Sequence, residues 1–175
     1  MKSIPKRLFP VLAFFSLFSL ACQSNKDTYD RIVAMEEVLT QRPSEDTMRL
    51  LLGLYQEMLE STLSDSQKIN FLWKTSEMAR GLQQYELSEE SLMKIYEGFP
   101  ESDYAPKALF LHAFILDEDR KDFNGAEFLY KSFLEKYPES DFADDAQFLL
   151  THLGKSDEEM LRILSGQDMI QDSVQ

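Results

Sequence analysis

The stretch Phe99-Pro-Glu-Ser-Asp-Tyr-Ala-Pro-Lys-Ala-Leu-Phe110 returns further along the chain as Tyr137-Pro-Glu-Ser-Asp-Phe-Ala-Asp-Asp-Ala-Gln-Phe148. Seven of the twelve positions are identical, and two more exchange one aromatic residue for another. A self-match at a fixed period of roughly 20–50 residues is typical of repeat proteins, whose units each bury an apolar face against a neighbour. The spacing from Phe99 to Tyr137 lies in this range, so the two motifs predict a repeat array in this part of the chain.

The composition indicates a helical protein with a core. The chain has 175 residues, of which 43% are hydrophobic and 28% charged, and it contains only six Gly and six Pro. Abundant Leu, Glu, Lys and Met favour helix over sheet, and no segment alternates apolar and polar residues as a strand does. We predict an all-α fold of eight helices in about four antiparallel pairs, following a cleaved signal peptide.

Capping signals divide the chain into these helices. Ser64 and Gln67 have the spacing of a capping box, as do Ser156 and Glu159, and Gly154 suits a left-handed helix end. The charged run 117–122 is predicted to be a solvated turn that ends the fifth helix. The helices are predicted to start near Tyr29, Ser44, Asp65, Ser88, Asp103, Phe123, Ser140 and Ser156.

Residues 1–21 have the pattern of a secretory signal peptide. Lys2, Lys6 and Arg7 precede the apolar run from Leu8 to Ala21, which is shorter than the roughly 20 residues that a membrane-spanning helix needs. The alternative is an uncleaved membrane anchor.

The only cysteine, Cys22, directly follows this segment. Ser19-Leu-Ala-Cys22 resembles the lipobox of bacterial lipoproteins, which implies cleavage between Ala21 and Cys22 and attachment of fatty acyl chains such as palmitate to the cysteine. A lone cysteine in an exported protein has no internal disulfide partner, which agrees with lipidation. Residues 22–28 would then form a lipidated tether. Plain cleavage that leaves a free thiol is the alternative.

The charge of the chain after the signal excludes two classes of ligand. It contains 15 Lys and Arg against 31 Asp and Glu, a formal charge of −16. Nucleic acids and anionic membrane surfaces repel such a chain, so the N-terminal lipid would be its link to the membrane.

We expect no catalytic centre, no metal site, no cofactor and no small-molecule substrate. His112 and His152 have no Cys or His companion at ligand spacing. The segment that begins at Asp117 departs from a calcium loop, because Lys121 stands at its fifth position and Asp122 where Gly is required. No glycine-rich phosphate loop or nucleophile elbow occurs in the sequence.

The segment from Ala108 to Pro138 resembles a tetratricopeptide repeat. Small residues stand where that family packs its two helices closely, at Ala108, Ala113 and Ala126. In the preceding unit, Ser88 stands at the position equivalent to Ala126. The segment Tyr137–Phe148 is similar to part of the envelope tetratricopeptide lipoproteins of the BamD and YbgF group. The resemblance implies a helical repeat domain over residues 29–166, clearest at 85–156, with a frayed tail at 167–175.

In that family the first helix of each unit lines a concave groove that binds peptides. The equivalent positions in this chain are Phe71, Lys107, Phe110, Phe114, Asp117, Asp145, Phe148 and His152. The alternative is that these aromatic residues are buried by neighbouring helices, because aromatic stripes on helices usually belong to a core.

The resemblance implies a non-enzymatic, lipid-anchored scaffold that binds other envelope proteins from the outer membrane, facing the periplasm. One alternative is a structural subunit of an outer-membrane assembly machine or a Tol–Pal-associated factor. Another is an accessory subunit of an envelope enzyme. Display on the cell surface also stays open.

Overall fold

The computed structural model describes the backbone of residues 9–165, and the side chains of residues 25–165 except 157, 160, 163 and 164. In this part of the chain the secondary structure elements are all helices, joined by turns, and none is a strand, which confirms the predicted all-α fold. The helices form two compact units that divide between Gln84 and Tyr85. Unit 2 therefore starts where the tetratricopeptide resemblance becomes clearest.

Unit 1 contains three helices, α1 (Phe9–Gln41), α2 (Glu45–Leu59) and α3 (Asp65–Gly81). Helix α2 contacts both α1 and α3, because apolar residues recur along it at helical spacing and are buried. The core of this unit consists of Ile32, Leu51, Leu54, Tyr55, Met58 and Phe71.

Helix α1 begins before Tyr29, the predicted start, and runs without a break through residues 22–28. From Thr28 onward it is bound to the rest of unit 1 by polar contacts. The Thr28 hydroxyl donates to Glu57 at 2.7 Å, and the Glu36 carboxylate accepts from the Tyr55 hydroxyl at 2.7 Å and from the Lys74 ammonium. Residues 28–41 therefore belong to the folded unit.

Unit 2 contains α4 (Tyr85–Gly98), α5 (Tyr104–Phe114), a π-helical segment (Ile115–Asp119), α6 (Phe123–Lys136), α7 (Ala143–Thr151) and α8 (Asp157–Leu164). From α4 to α7, each α-helix contacts the next α-helix in the chain. The core of this unit includes a cluster of buried residues, Leu109, Ala113, Leu116, Ala126, Tyr130, Phe133 and Ala146.

Several predicted helix boundaries are confirmed, among them the N-cap at Ser44 and the helix start at Phe123. Ser64 and Gln67 form both bonds of a capping box, Ser156 and Glu159 do the same before α8, and Gly154 has a φ of +74°. These signals are local, since each satisfies backbone groups within one turn of the helix end.

Besides the start of α1, two other predicted starts are wrong. Helix α4 begins at Tyr85, and Ser88 lies inside it, fully buried, because a small side chain is needed at that contact. Helix α7 begins at Ala143 with Phe142 as its N-cap. Ser140 stabilises the turn before the helix instead, because its hydroxyl accepts a hydrogen bond from the Phe142 amide at 3.3 Å.

The charged run after α5 is also not a fully solvated turn. The helix continues as a π-helical segment to Asp119, and Asp117 is only 4% exposed. A π-turn holds more residues than an α-turn and so changes the direction of the side chains that follow. The turn that does reach solvent lies at Arg120–Asp122, where Lys121 has a φ of +55°.

Candidate protein-binding surface

The two copies of the repeated motif fold into the same turn. In the first copy, the Ser102 amide donates to the Phe99 carbonyl at 3.0 Å, and the Ala105 amide donates to the Ser102 carbonyl at 3.0 Å. The same two hydrogen bonds recur at the equivalent positions of the second copy, at 3.1 and 2.9 Å. The identical Pro-Glu-Ser-Asp sequences thus end one helix and start the next in the same way, because consecutive turns satisfy the free backbone groups between them.

Small residues lie at the helix contacts of unit 2. Ala108 and Ala146, which are equivalent in the two motif copies, have no exposed surface. Ala113, Ala126 and Ser88 are equally buried. Because a small side chain lets two helix backbones approach closely, these positions fix how α4, α5, α6 and α7 pack.

Among the eight predicted groove residues, Phe71 lies in unit 1 and the other seven in unit 2. Phe71 is 5% exposed, and its ring centroid lies 6.1 Å from that of Tyr55 in the unit 1 core. In this structure Phe71 stabilises the packing of α2 and α3, and it offers little surface to a partner.

Phe110 is the centre of an aromatic cluster in unit 2. Its ring stacks on Phe142, with centroids 5.0 Å apart and planes inclined by 28°, and meets the edge of Phe133 at 5.7 Å. Phe142 belongs to the second motif copy, so a residue of one copy covers the aromatic residue of the other. Phe114, one turn further along, is half-buried.

Asp117 is a buried carboxylate. Burial, followed by the neighbouring charge of Glu118, raises its pKa above the usual range. Burial also raises the pKa of Tyr130, and the charge of Asp117 adds to that rise. Asp117 is therefore part of the interior beside α6 and does not form an exposed edge of a groove.

Lys107 lines a cleft of about 640 Å³. One wall is the start of α5, with Asp103, Pro106 and Lys107, and the other is the segment 136–142. The Lys107 ammonium lies 5.1 Å from the ring centroid of Tyr104. This cleft lies between the two motif copies and combines charged, proline and aromatic side chains, a composition suited to peptide contact.

The structure brings Asp145, Phe148 and His152 together along α7. Asp145 and Phe148 are exposed, and the His152 ring lies 4.3 Å from the Phe148 ring. The Nδ1 atom of His152 lies 2.7 Å from the Phe148 carbonyl, which fixes the orientation of the imidazole beside the phenyl ring. This aromatic pair with its adjacent carboxylate is the most accessible part of the predicted site.

Sequence reasoning missed a polar cluster between α4, α5 and the segment after them. Glu89 Oε1 lies 3.3 Å from an Arg120 nitrogen, and Glu89 Oε2 lies 3.8 Å from His112 Nε2. Burial, with a smaller effect of Arg120, lowers the pKa of His112 to about 4, and burial raises the pKa of Glu89. These residues are separated in sequence, so no local pattern could have indicated the cluster, which joins the helices of unit 2.

Three further predictions concern the ends and chemistry of the chain. The side chains of Ala21 and Cys22 lie outside the described residues, as do the whole of residues 1–8 and the tail 167–175. Among the described residues, no three His, Cys, Asp or Glu side chains are placed to hold a metal ion. In the same part of the chain, no helix has the length and apolar character to cross a membrane.

Comparison of the chain with protein-family models, curated proteins and solved structures found no significant match. The part of the chain that the structure describes defines an all-helical protein whose sequence carries a repeated motif.

Proposed function

We propose that this chain is a non-enzymatic scaffold of the bacterial envelope, anchored by lipid at Cys22, that binds other proteins through a tetratricopeptide-like surface of unit 2. The observation that carries the proposal is the repeated turn, which starts α5 and α7 in the same way in the two motif copies. Repeated helical units that stack on their neighbours expose extended surfaces suited to protein binding.

The accessible residues on that surface support a protein partner. Phe148 and His152 present an oriented aromatic pair, and the neighbouring cleft offers Lys107 and Asp103 beside Pro106. Aromatic side chains flanked by polar groups are typical of surfaces that bind peptide segments, since they combine apolar area with little conformational entropy to lose.

Protein binding is testable by site-specific photocrosslinking in the producing cells. A photoreactive residue at position 148 is expected to capture one or a few envelope proteins. Position 128 is the matched control, because Phe128 is also an exposed aromatic residue, 69% accessible, but lies on α6. Equal capture from both positions, or capture from neither, would contradict the proposal. Recovery of a stable stoichiometric complex with a barrel protein would indicate a subunit of an assembly machine.

Lipid anchoring is supported by the Ser19–Cys22 motif and has its own test. Cells grown with an alkyne-labelled fatty acid are expected to label the wild-type chain and to lose that label in Cys22→Ser. Ser24→Ala is the matched control and is expected to keep the label. A Cys22→Ser chain that remains labelled would refute the anchor while leaving the protein-binding proposal intact.

A further inference from the structure

Among the described residues, Phe148 lacks a contact that the equivalent residue of the first motif copy, Phe110, makes with a ring of the following turn. Phe110 and Phe148 hold the same position, the last, in their copies of the motif. Phe110 is half-buried, and its ring stacks on that of Phe142, the aromatic residue at the sixth position of the next copy. Among the described residues, the ring that contacts Phe148 is that of His152, on its own helix, and Phe148 stays 36% exposed.

The two motif copies also differ in the charge of the residues before the last aromatic residue. Pro106 and Lys107 of the first copy are replaced by Asp144 and Asp145 in the second. Residues 137–154 contain four carboxylates and neither Lys nor Arg. Within the described chain, none of the salt bridges involves Asp141, Asp144 or Asp145, and all three are exposed. Helix α7 therefore presents an aromatic ring with unpaired negative charge beside it.

We propose that this face of α7, formed by Asp144, Asp145, Phe148 and His152, binds a basic segment of a partner protein that carries an aromatic residue next to Lys or Arg. The proposal rests on the protein-binding function above and names the chemistry of the partner. The aromatic residue would stack on Phe148 as Phe142 stacks on Phe110, and the cation would pair with the carboxylates.

Charge argues against the two occupants that this chain could supply. A second copy that offered its own motif turn, Phe99–Tyr104, would bring Glu101 and Asp103 and no cation. The tail after Ser165 contains Asp168 and Asp172 and likewise no Lys or Arg. Like charges placed opposite each other oppose association, so a basic partner fits this face better than either.

The test is selection from a phage-displayed random peptide library on the protein purified from cells that export it. Selected peptides are expected to combine Arg or Lys with a nearby Trp, Tyr or Phe. A synthetic selected peptide should bind at least about tenfold more weakly to Phe148→Ser and to Asp144→Asn with Asp145→Asn. Its binding should weaken as salt is raised. Phe128→Ser is the control and should bind as the wild type does.

Several outcomes would overturn the inference. Selected peptides without basic residues, peptides that bind Phe148→Ser unchanged, or an empty selection would each do so. Self-association in sedimentation that Phe148→Ser abolishes would assign the face to a second copy, and stronger peptide binding after removal of residues 166–175 would assign it to the tail. If photocrosslinking from the cleft around Lys107 still captures an envelope protein, the proposed function survives while this partner chemistry does not.

Discussion

The first copy of the repeated motif, Phe99–Phe110, and the second, Tyr137–Phe148, form the same turn but differ in what surrounds them. Both make the same pair of backbone hydrogen bonds, and both bury the alanine at the tenth motif position. The last aromatic residue of the first copy lies in a cluster of rings, whereas that of the second remains at the surface. The motif thus determines the local turn, and the neighbouring element determines whether its aromatic residue is core or surface.

The difference in exposure between the two aromatic residues assigns one to folding stability and the other to binding. Where a following turn covers the aromatic residue, as Phe142 covers Phe110, the side chain contributes to the free energy of folding through buried area and ring contacts. Where the described residues provide no such cover, as at Phe148, the same side chain offers free apolar surface.

The largest difference is expected for removal of the last aromatic residue. Phe110→Ala should lower the free energy of unfolding by about 3 kcal/mol, because it leaves a cavity among Tyr130, Phe133 and Phe142. Phe148→Ala should lower it by less than about 1 kcal/mol, since that ring is partly solvated. Urea unfolding followed by circular dichroism measures both values. Losses of equal size would show that the two environments are alike.

The next largest effect is expected in the pH dependence of the free energy of unfolding. It concerns His112, whose equivalent 38 residues later is Leu150. Burial lowers the pKa of His112 from 6.5 to about 4, so between these values the unfolded chain binds a proton that the folded chain does not. This residue's contribution to stability is therefore complete above pH 6.5 and decreases as the pH falls towards 4, by about 3 kcal/mol.

His112→Leu, which introduces the residue of the second copy, should flatten this dependence. Glu89 acts in the opposite sense, because its raised pKa lets the folded chain take up a proton earlier as the pH falls. The check is the free energy of unfolding in urea at several pH values from 7 to 4, for the wild type and the variant. An unchanged slope in His112→Leu would mean that His112 is not the titrating group.

The sequence was informative where structure depends on nearby residues. The capping pairs at Ser64 and Ser156 and the left-handed Gly154 were predicted because each satisfies or relaxes backbone groups within a few positions. The resemblance to a tetratricopeptide repeat implied close helix packing at Ala108 and Ala126, and both residues are buried.

The candidate site was harder to predict because exposure depends on distant residues. Phe110 and Phe148 hold the same position in their motif copies, but the first contacts the rings of α6 and of Phe142, whereas the second contacts His152. Asp117 was expected at a charged edge, but the π-helical segment brings it into the interior. The cluster of Glu89, His112 and Arg120 joins three separate segments, so its members carry no common signal in the sequence.

The smallest change in the free energy of unfolding is expected for substitution of the serine that both motif copies share. In the first copy, the Ser102 hydroxyl donates to the Phe99 carbonyl at 2.8 Å, whereas the Ser140 hydroxyl accepts from the Phe142 amide at a longer 3.3 Å. Ser102→Ala should therefore lower the free energy of unfolding by about 1 kcal/mol and Ser140→Ala by about 0.5 kcal/mol.

Hydrogen exchange of the Ala105 and Ala143 amides resolves a difference of this size, because each amide closes the turn of its own copy. We expect Ser102→Ala to accelerate exchange at Ala105 more than Ser140→Ala accelerates it at Ala143. Equal acceleration would show that the backbone hydrogen bonds alone hold both turns, and that the shared serine matters for another reason. A larger effect at Ala143 would reverse the ranking of the two copies and place the more dependent turn beside the exposed ring of Phe148.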